Sequence, residues 1–337
     1  MERNKAFFEC NNAVIPCTGV LLPLVSMAQL QGVLPSKILK GTGLCYEDLL
    51  NNHLTVSFDQ IETSVENVFS LLPYNEFSFQ IGKNFFYQNH TPIKTALINA
   101  SSLNQAIRII SLYAVSFFPY CKFDKFVVGD KTHFVISHGV KHSSEFSERF
   151  FIEILISKLS SYLNWHFPYC EITIELPFAK PAHYEQYFAY IKYPVAFSKP
   201  LFLITIKTDS LNANQQGSCK LMRQQALQNL KMTSKSQSLL SQLAKLITEQ
   251  PTTTLESASD YFSLSPATFK RKLKQHNTNF KYEKDLAQKH ATLFHLMHTS
   301  ASNQTLSDKL AISDLTNFRR MFKRWTGKTP SELRLAK

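Results

Sequence analysis

Near the end of the chain, apolar and cationic residues alternate with a helical period. In "NFRRMFKRWTGKTPSEL" (317–333), Phe318, Met321, Phe322 and Trp325 stand at i, i+3, i+4 and i+7, which places all four on one side of an α-helix. Arg319, Arg320, Lys323 and Arg324 share the other side, joined by Thr316 one turn earlier. Ser313 or Asp314 offers an N-cap, Gly327 suits the left-handed end of a helix, and Pro330 prevents the helix from resuming. The pattern predicts one short helix with an apolar back and a cationic front. A sister pattern lies upstream in "LESASDYFSLSPATFKRKLKQH" (255–276), which predicts helix, tight turn, helix. Ala258 faces inward on the first helix, Ser263-Leu264 makes the turn, and Ser265 caps the second helix with Pro266 at its first position. Phe269 and Leu273 then point inward, while Ala267, Lys270, Arg271 and Lys274 share the outer face. "TLSDKLAISDLTNFRRMFKRW" repeats the arrangement, giving two helix-turn-helix units, 255–276 and 305–326.

The rest of the chain divides by the same criterion. Residues 1–211 mix periods. Helical spacing appears in 101–118 (Leu103, Ile107, Ile110, Ala114, Phe117) and in 147–164 (Phe151, Ile154, Leu155, Lys158, Tyr162). Strand-like runs occupy "FDKFVVGDKTHFVISH", around a Gly-Asp turn, "EITIELPF" and "PLFLITIKT". Interleaved helices and strands predict an α+β domain. Residues 212–235 open with the polar "NANQQGSCK" and predict a linker, with a short helix around 221–231. From residue 236 the strand signal vanishes, so 236–337 predicts an all-α domain.

Composition adds a partner. Among 337 residues the formal net charge is +12. Residues 236–337 hold 16 Lys+Arg against 8 Asp+Glu, a net of +8, and the preceding 235 residues hold only +4. Such asymmetry suggests a polyanion bound by the C-terminal part. Six dispersed cysteines with no C-x-x-C pair fit neither a zinc site nor a disulfide scaffold, and are expected to be reduced, mostly buried cytoplasmic thiols. The uncharged stretch 10–36 superficially resembles a secretory leader. Pro16, Pro23 and Pro35 interrupt it, no small-x-small cleavage site follows, and it is too broken to span a membrane. A buried helix near 20–31 accounts for it better.

In a helix-turn-helix unit the second helix enters the DNA major groove. "NFRRMFKRWTGKTPSELR" resembles the closing signature of AraC/XylS-type transcription regulators, and "LSPATFKRKLKQ" their first recognition helix. The first two hundred residues resemble the sensor domain of the branch that contains ornithine-utilisation and virulence regulators, at "ILKGTGLCYEDLL", "ASSLNQAIRIISLY" and "HYEQYFAYIKYPVAF". The resemblance implies two helix-turn-helix units bridged by a long helix, here about 280–298. It implies promoter DNA and RNA polymerase as partners, a homodimer, a small-molecule effector, no cofactor and no membrane. The DNA-contact set would be Ala267, Thr268, Lys270, Arg271, Lys274, Thr316, Arg319, Arg320, Lys323 and Arg324. Departures concentrate in the second unit. Ala311-Ile312 stands where the family has Gly-Phe, Ala301-Ser302-Asn303 where it has Leu-Ser-Ile, and Gln288 where an arginine is common. Lys309 falls near a usually apolar position. Losing that burial, at about 1.5–3 kcal/mol per large side chain, is expected to leave this unit loosely packed by itself.

No G-x-S-x-G, G-x-x-x-x-G-K or G-x-G-x-x-G motif occurs, and no residue set supports catalysis. His138 and His142 are four apart but lack an H-E-x-x-H glutamate, and His290, His295 and His298 do not share one helical face. The expected activity is thus ligand-responsive, sequence-specific DNA binding in the cytoplasm. Its rivals are a regulator controlled by dimerisation or a protein partner alone, and an enzyme acting on a small molecule. The effector is expected to be a hydrophobic acid or an amino acid. Its carboxylate needs a cation, since an unpaired buried charge is costly; Arg108 and Lys37, both in apolar helical stretches, are the candidates.

Overall fold

The computed structural model describes residues 7–73, 76–87, 91–140, 142–215, 217–231, 237–312 and 314–335. The N-terminal part opens with strands β1 (Phe7–Phe8) and β2 (Ile15–Pro16), helices α1 (Leu21–Leu30) and α2 (Pro35–Ile38), and strand β3 (Thr55–Val56). Helices α3 (Phe58–Leu71), α4 (Phe77–Asn84), α5 (Pro92–Ile98), α6 (Leu103–Leu112) and α7 (Ala114–Phe117) follow. Next come β4 (Cys121–Val128), β5 (Lys131–His138), α8 (Glu145–His166), β6 (Ile172–Glu175), α9 (Tyr184–Tyr190), β7 (Val195–Ala196), β8 (Phe202–Lys207) and α10 (Lys220–Lys231). The C-terminal part holds the short strand β9 (Gln237–Ser238) and helices α11 (Leu239–Glu249), α12 (Leu255–Tyr261), α13 (Pro266–Gln275), α14 (Phe280–His298), α15 (Asn303–Lys309), α16 (Leu315–Thr326) and α17 (Pro330–Leu335). The chain is α+β followed by helices. No helix among the described residues is long and apolar enough to cross a membrane.

Two expected elements change shape. The helix foreseen over 101–118 breaks at Tyr113, whose φ of −125° and ψ of 42° leave the helical region. The break turns Phe117 and Phe118 into the core. The linker foreseen over 212–235 is docked over much of its length. Ala226 and Leu230 of α10 join the N-terminal core, and Arg223 donates to the Asn99 carbonyl at 2.8 Å. All six cysteines are free thiols; Cys17, Cys121 and Cys170 are buried, Cys10 and Cys219 half-buried, and Cys45 exposed.

The main sheet runs β4-β5-β8-β6-β7, antiparallel except for the β6–β7 pair. Successive side chains on a strand point to opposite faces. Phe134 and Ile136 of β5, with Phe202, Ile204 and Ile206 of β8, enter the core shared with α6 and α8. Their alternates Val135 and Leu203, with Leu201, meet Leu293 and Phe294 of α14, Leu306 of α15, and Phe318 and Phe322 of α16. Both faces of the central strands are therefore covered, which is why "PLFLITIKT" reads as a continuous apolar run rather than an alternation. Phe126 of β4 stacks on Phe294 at 4.1 Å between ring centroids, and His298 stacks on the same ring at 5.1 Å. At the edge of this contact, burial together with the nearby His138 and Lys289 pushes His290 down to about 3, so its imidazole is neutral.

The first helix-turn-helix unit is closed differently. Phe262, Phe269 and Leu273 pack with Leu240, Leu243 and Ile247 of α11. Strand β1 pairs in parallel with β9 and brings Phe7 edge-on to Phe262 at 5.4 Å.

Candidate nucleic-acid interface and ligand cavity

The second helix of each unit is set by a local cap. Ser265 caps α13, accepting from the Thr268 backbone N–H at 3.2 Å, and Pro266 takes the first turn, where no N–H is needed. Phe269 and Leu273 are buried, so Ala267, Lys270, Arg271 and Lys274 are left exposed on the opposite side. Thr268 is half-buried, and its hydroxyl accepts from Ser265 at 2.9 Å; it belongs to the cap as much as to the outer face. Lys272, one residue from the expected set, turns sideways onto Glu9 of the N-terminal segment.

On α16 the cap is Asp314, accepting from the Asn317 N–H at 2.7 Å; Ser313, the alternative cap, lies outside the described residues. Gly327 ends the helix at φ 73°, as its position implied. Phe318 and Phe322 are fully buried, while Thr316, Arg319, Arg320 and Lys323 are exposed. Arg320 accepts support from Asn317, donating to its Oδ1 at 3.3 Å. Arg324 is also exposed but is engaged, donating from Nη2 to both carboxylate oxygens of Asp285 on α14 at 3.0 and 2.9 Å. Trp325, on the apolar side, is half-buried rather than buried. One helix, α14, carries both units, with Gln288 buried in it and donating to the Pro251 carbonyl at 3.3 Å. Lys309 is exposed; the apolar position beside it is filled by Leu310. In the whole chain the second unit is packed, with Val135, Leu201 and Leu203 of the sheet supplying apolar partners from outside it.

The two effector candidates are not gathered into an apolar pocket. Lys37 is exposed at the end of α2, and Arg108 is exposed on α6, beside an open groove shared with Gln224 and Leu227 of α10. The deeply buried lysines are instead Lys94 on α5 and Lys158 on α8, 4% and 1% exposed. The available signal was Lys158 standing on the apolar stripe of its helix, where only hydrophobic neighbours recur. His138 approaches Glu283 to 3.9 Å, whereas His142 packs on Phe58 and Phe151, so the pair is drawn into different surroundings.

An α+β domain followed by two helix-turn-helix units on one long helix is the architecture of AraC-type regulators. The family model for the arabinose-binding domain at the N-terminus of AraC transcription regulators matches residues 32–214, and the chain belongs to this family. The ornithine utilization regulator of Pseudomonas aeruginosa is 25% identical over 176 residues, 50% of this chain and 52% of that protein. The chain thus spans about half the length of the curated relative it matches. Among solved structures, the transcriptional regulator CdpR from Pseudomonas aeruginosa aligns over 93% of this chain and 96% of its own, at 16% identity and a TM-score of 0.43. A DNA-binding transcriptional dual regulator from Escherichia coli K-12 aligns over 29% of this chain and 89% of its own, at 17% identity and a TM-score of 0.28.

Proposed function

We propose that the protein is a sequence-specific double-stranded DNA-binding transcription regulator whose N-terminal domain takes a small-molecule effector, a hydrophobic acid or an amino acid. The observation that carries this reading is the pair of second helices, α13 and α16, each with its aromatic side buried and a basic face exposed. Residues 236–337 are the DNA-binding part, residues 1–211 the sensing part, and 212–235 the connection. Exposed lysines and arginines neutralise phosphates, and arginine can pair bidentately with guanine. The protein works by binding rather than by catalysis, at promoters in the cytoplasm, with RNA polymerase and a second copy of itself as partners.

Fluorescence anisotropy with a duplex selected from random sequence tests this reading. Binding should be tighter than to a scrambled duplex and should fall steeply with salt. Equal affinity for selected and scrambled duplexes would remove the claim of sequence specificity.

A further inference from the structure

Side chains do not fill the whole space over the core face of the main sheet. Between it and helices α6 and α8 lies a cavity of about 120 Å³. Phe134 of β5 with Ile204 and Ile206 of β8 forms the sheet side, and Ile107 of α6 with Leu159 of α8 belongs to the helical side. Most polar groups of the lining are engaged elsewhere. Tyr162 donates its hydroxyl to the Leu97 carbonyl at 2.9 Å, Ser160 accepts from the Lys192 backbone N–H at 3.2 Å, and Ser111 donates to the Ile107 carbonyl at 2.9 Å. The interior is thus poorly furnished for water, which needs about two to four polar partners. Ser111 and Lys125 are the exposed residues of the described lining and mark its mouth. Lys125, on the edge strand β4 opposite Phe134, is the one charged side chain among the described lining residues.

An apolar cavity of about 150 Å³ stays dry and takes a benzene-sized guest. This one therefore has room for a phenyl ring or a short alkyl chain, and not for a long acyl tail. The head of such a guest is left at the mouth, beside Lys125. A carboxylate there is attracted by the ammonium and keeps its contact with water, which spares it the cost of burial. An amino acid with the same body would bring its α-ammonium to the same cation, and like charges repel.

We propose that this cavity binds a small monocarboxylic acid, its phenyl or short alkyl body enclosed by α6, α8 and the sheet and its carboxylate at Lys125. The site deepens the regulator reading by narrowing the effector to an acid without an amino group. Its role as an effector site rests on that reading; the binding itself does not. Phe134 and Ile204 line the cavity, and their strand neighbours Val135 and Leu203 meet the second helix-turn-helix unit. A guest that presses on one face of β5 and β8 is felt at the contact that packs α16 on the other.

Isothermal titration of the full-length protein with 3-phenylpropanoate and hexanoate tests the site, and isoleucine methyl NMR spectra locate it. Both acids should bind, shifting Ile107, Ile204 and Ile206 while leaving Ile247 of α11 in place. 3-Phenylpropanamide should bind about two- to fivefold more weakly, the worth of an exposed ion pair. L-Phenylalanine should bind roughly tenfold more weakly or worse, and acetate, which has the charge and no body, should not bind. Lys125→Gln should bring acid and amide to equal affinity. Ile107→Phe and Leu159→Phe, which fill the cavity from its two helices, should each abolish binding. In the parent protein, an amide that matches the acid, tighter binding of L-phenylalanine, acetate that binds as well as hexanoate, methyl shifts away from the cavity, or neither heat nor shifts with either acid would each overturn the assignment. Saturating 3-phenylpropanoate should change hydrogen exchange in α16; an unchanged α16 would remove the effector role. Specific DNA binding by the acid-free protein reports on the regulator reading separately; its absence would strike that reading and leave the titration to decide the site.

Discussion

The two helix-turn-helix units share a turn and differ in what closes their cores. Ser263 in the first and Ala311 in the second hold φ of 54° and 53°, so both turns pass through the left-handed region. Both second helices bury two apolar side chains behind a basic face. The first unit completes its core with α11 and with Phe7 of the N-terminal segment. The second borrows Val135, Leu201 and Leu203 from the sheet of the N-terminal domain. A repeated motif has therefore been finished once mainly by its own domain and once by its neighbour. Any event that reshapes the sheet reaches the second unit directly, whereas the first unit's core takes Phe7 of the N-terminal segment rather than a strand of the sheet.

The largest expected effect lies in the shared core. Phe322→Ala should destabilise the second unit by about 3–5 kcal/mol, and Phe269→Ala should do the same to the first. Hydrogen exchange should show each loss confined to its own unit; simultaneous loosening of both would mean that α14 couples them into one cooperative block. Trp325→Ala should cost less than Phe322→Ala, since Trp325 is only half-buried.

Leu203→Ala sharpens the comparison most, because the residue is not in the C-terminal part at all. Deleting this side chain should cost about 2–5 kcal/mol and should raise exchange in α15 and α16 while leaving α12 and α13 protected. Unchanged exchange in α16 would show that the sheet contact contributes nothing to the second unit.

On the outer faces the differences become smaller. Arg271→Ala and Arg320→Ala should each lose about 1–3 kcal/mol of discrimination between cognate and scrambled duplexes, whereas Lys274→Ala should weaken both alike. Arg324→Ala should differ from Lys274→Ala. Its guanidinium already engages Asp285, an exposed pair contributing about 0–1 kcal/mol, so its removal should change DNA affinity little. A uniform loss matching that of Lys274→Ala would show that the Asp285 pair opens on DNA.

The smallest effect is expected at the turns. A non-glycine residue in the left-handed region costs about 1–2 kcal/mol, so Ala311→Gly should raise the second unit's stability by about 1 kcal/mol. Thermal melting checks it, and a fall would mean that the Ala311 methyl packs usefully.

Sequence alone determined what is local. Helical periods, the Ser265-Pro266 cap, a cap at Ser313 or Asp314, the Gly327 stop and the extent of α14 each depend on residues within a few positions of one another, and the faces of α13 and α16 follow from them. The α+β character of the first part was legible for the same reason, through strands and helices with distinct periods. What the sequence could not decide were contacts between residues more than a hundred positions apart. Docking on β5 and β8 gives the second unit apolar partners from outside its own helices, while Lys309 stands in solvent beside the buried Leu310. The same holds for the effector candidates. Lys37 and Arg108 sit in apolar stretches yet face outward, because an amphipathic helix exposes one side whatever its average composition. Lys158 faces inward because α8 is surrounded on nearly every side, by α3, α4 and the sheet, so even its polar positions are enclosed. Burial is a property of the neighbours, and only the tertiary structure supplies those.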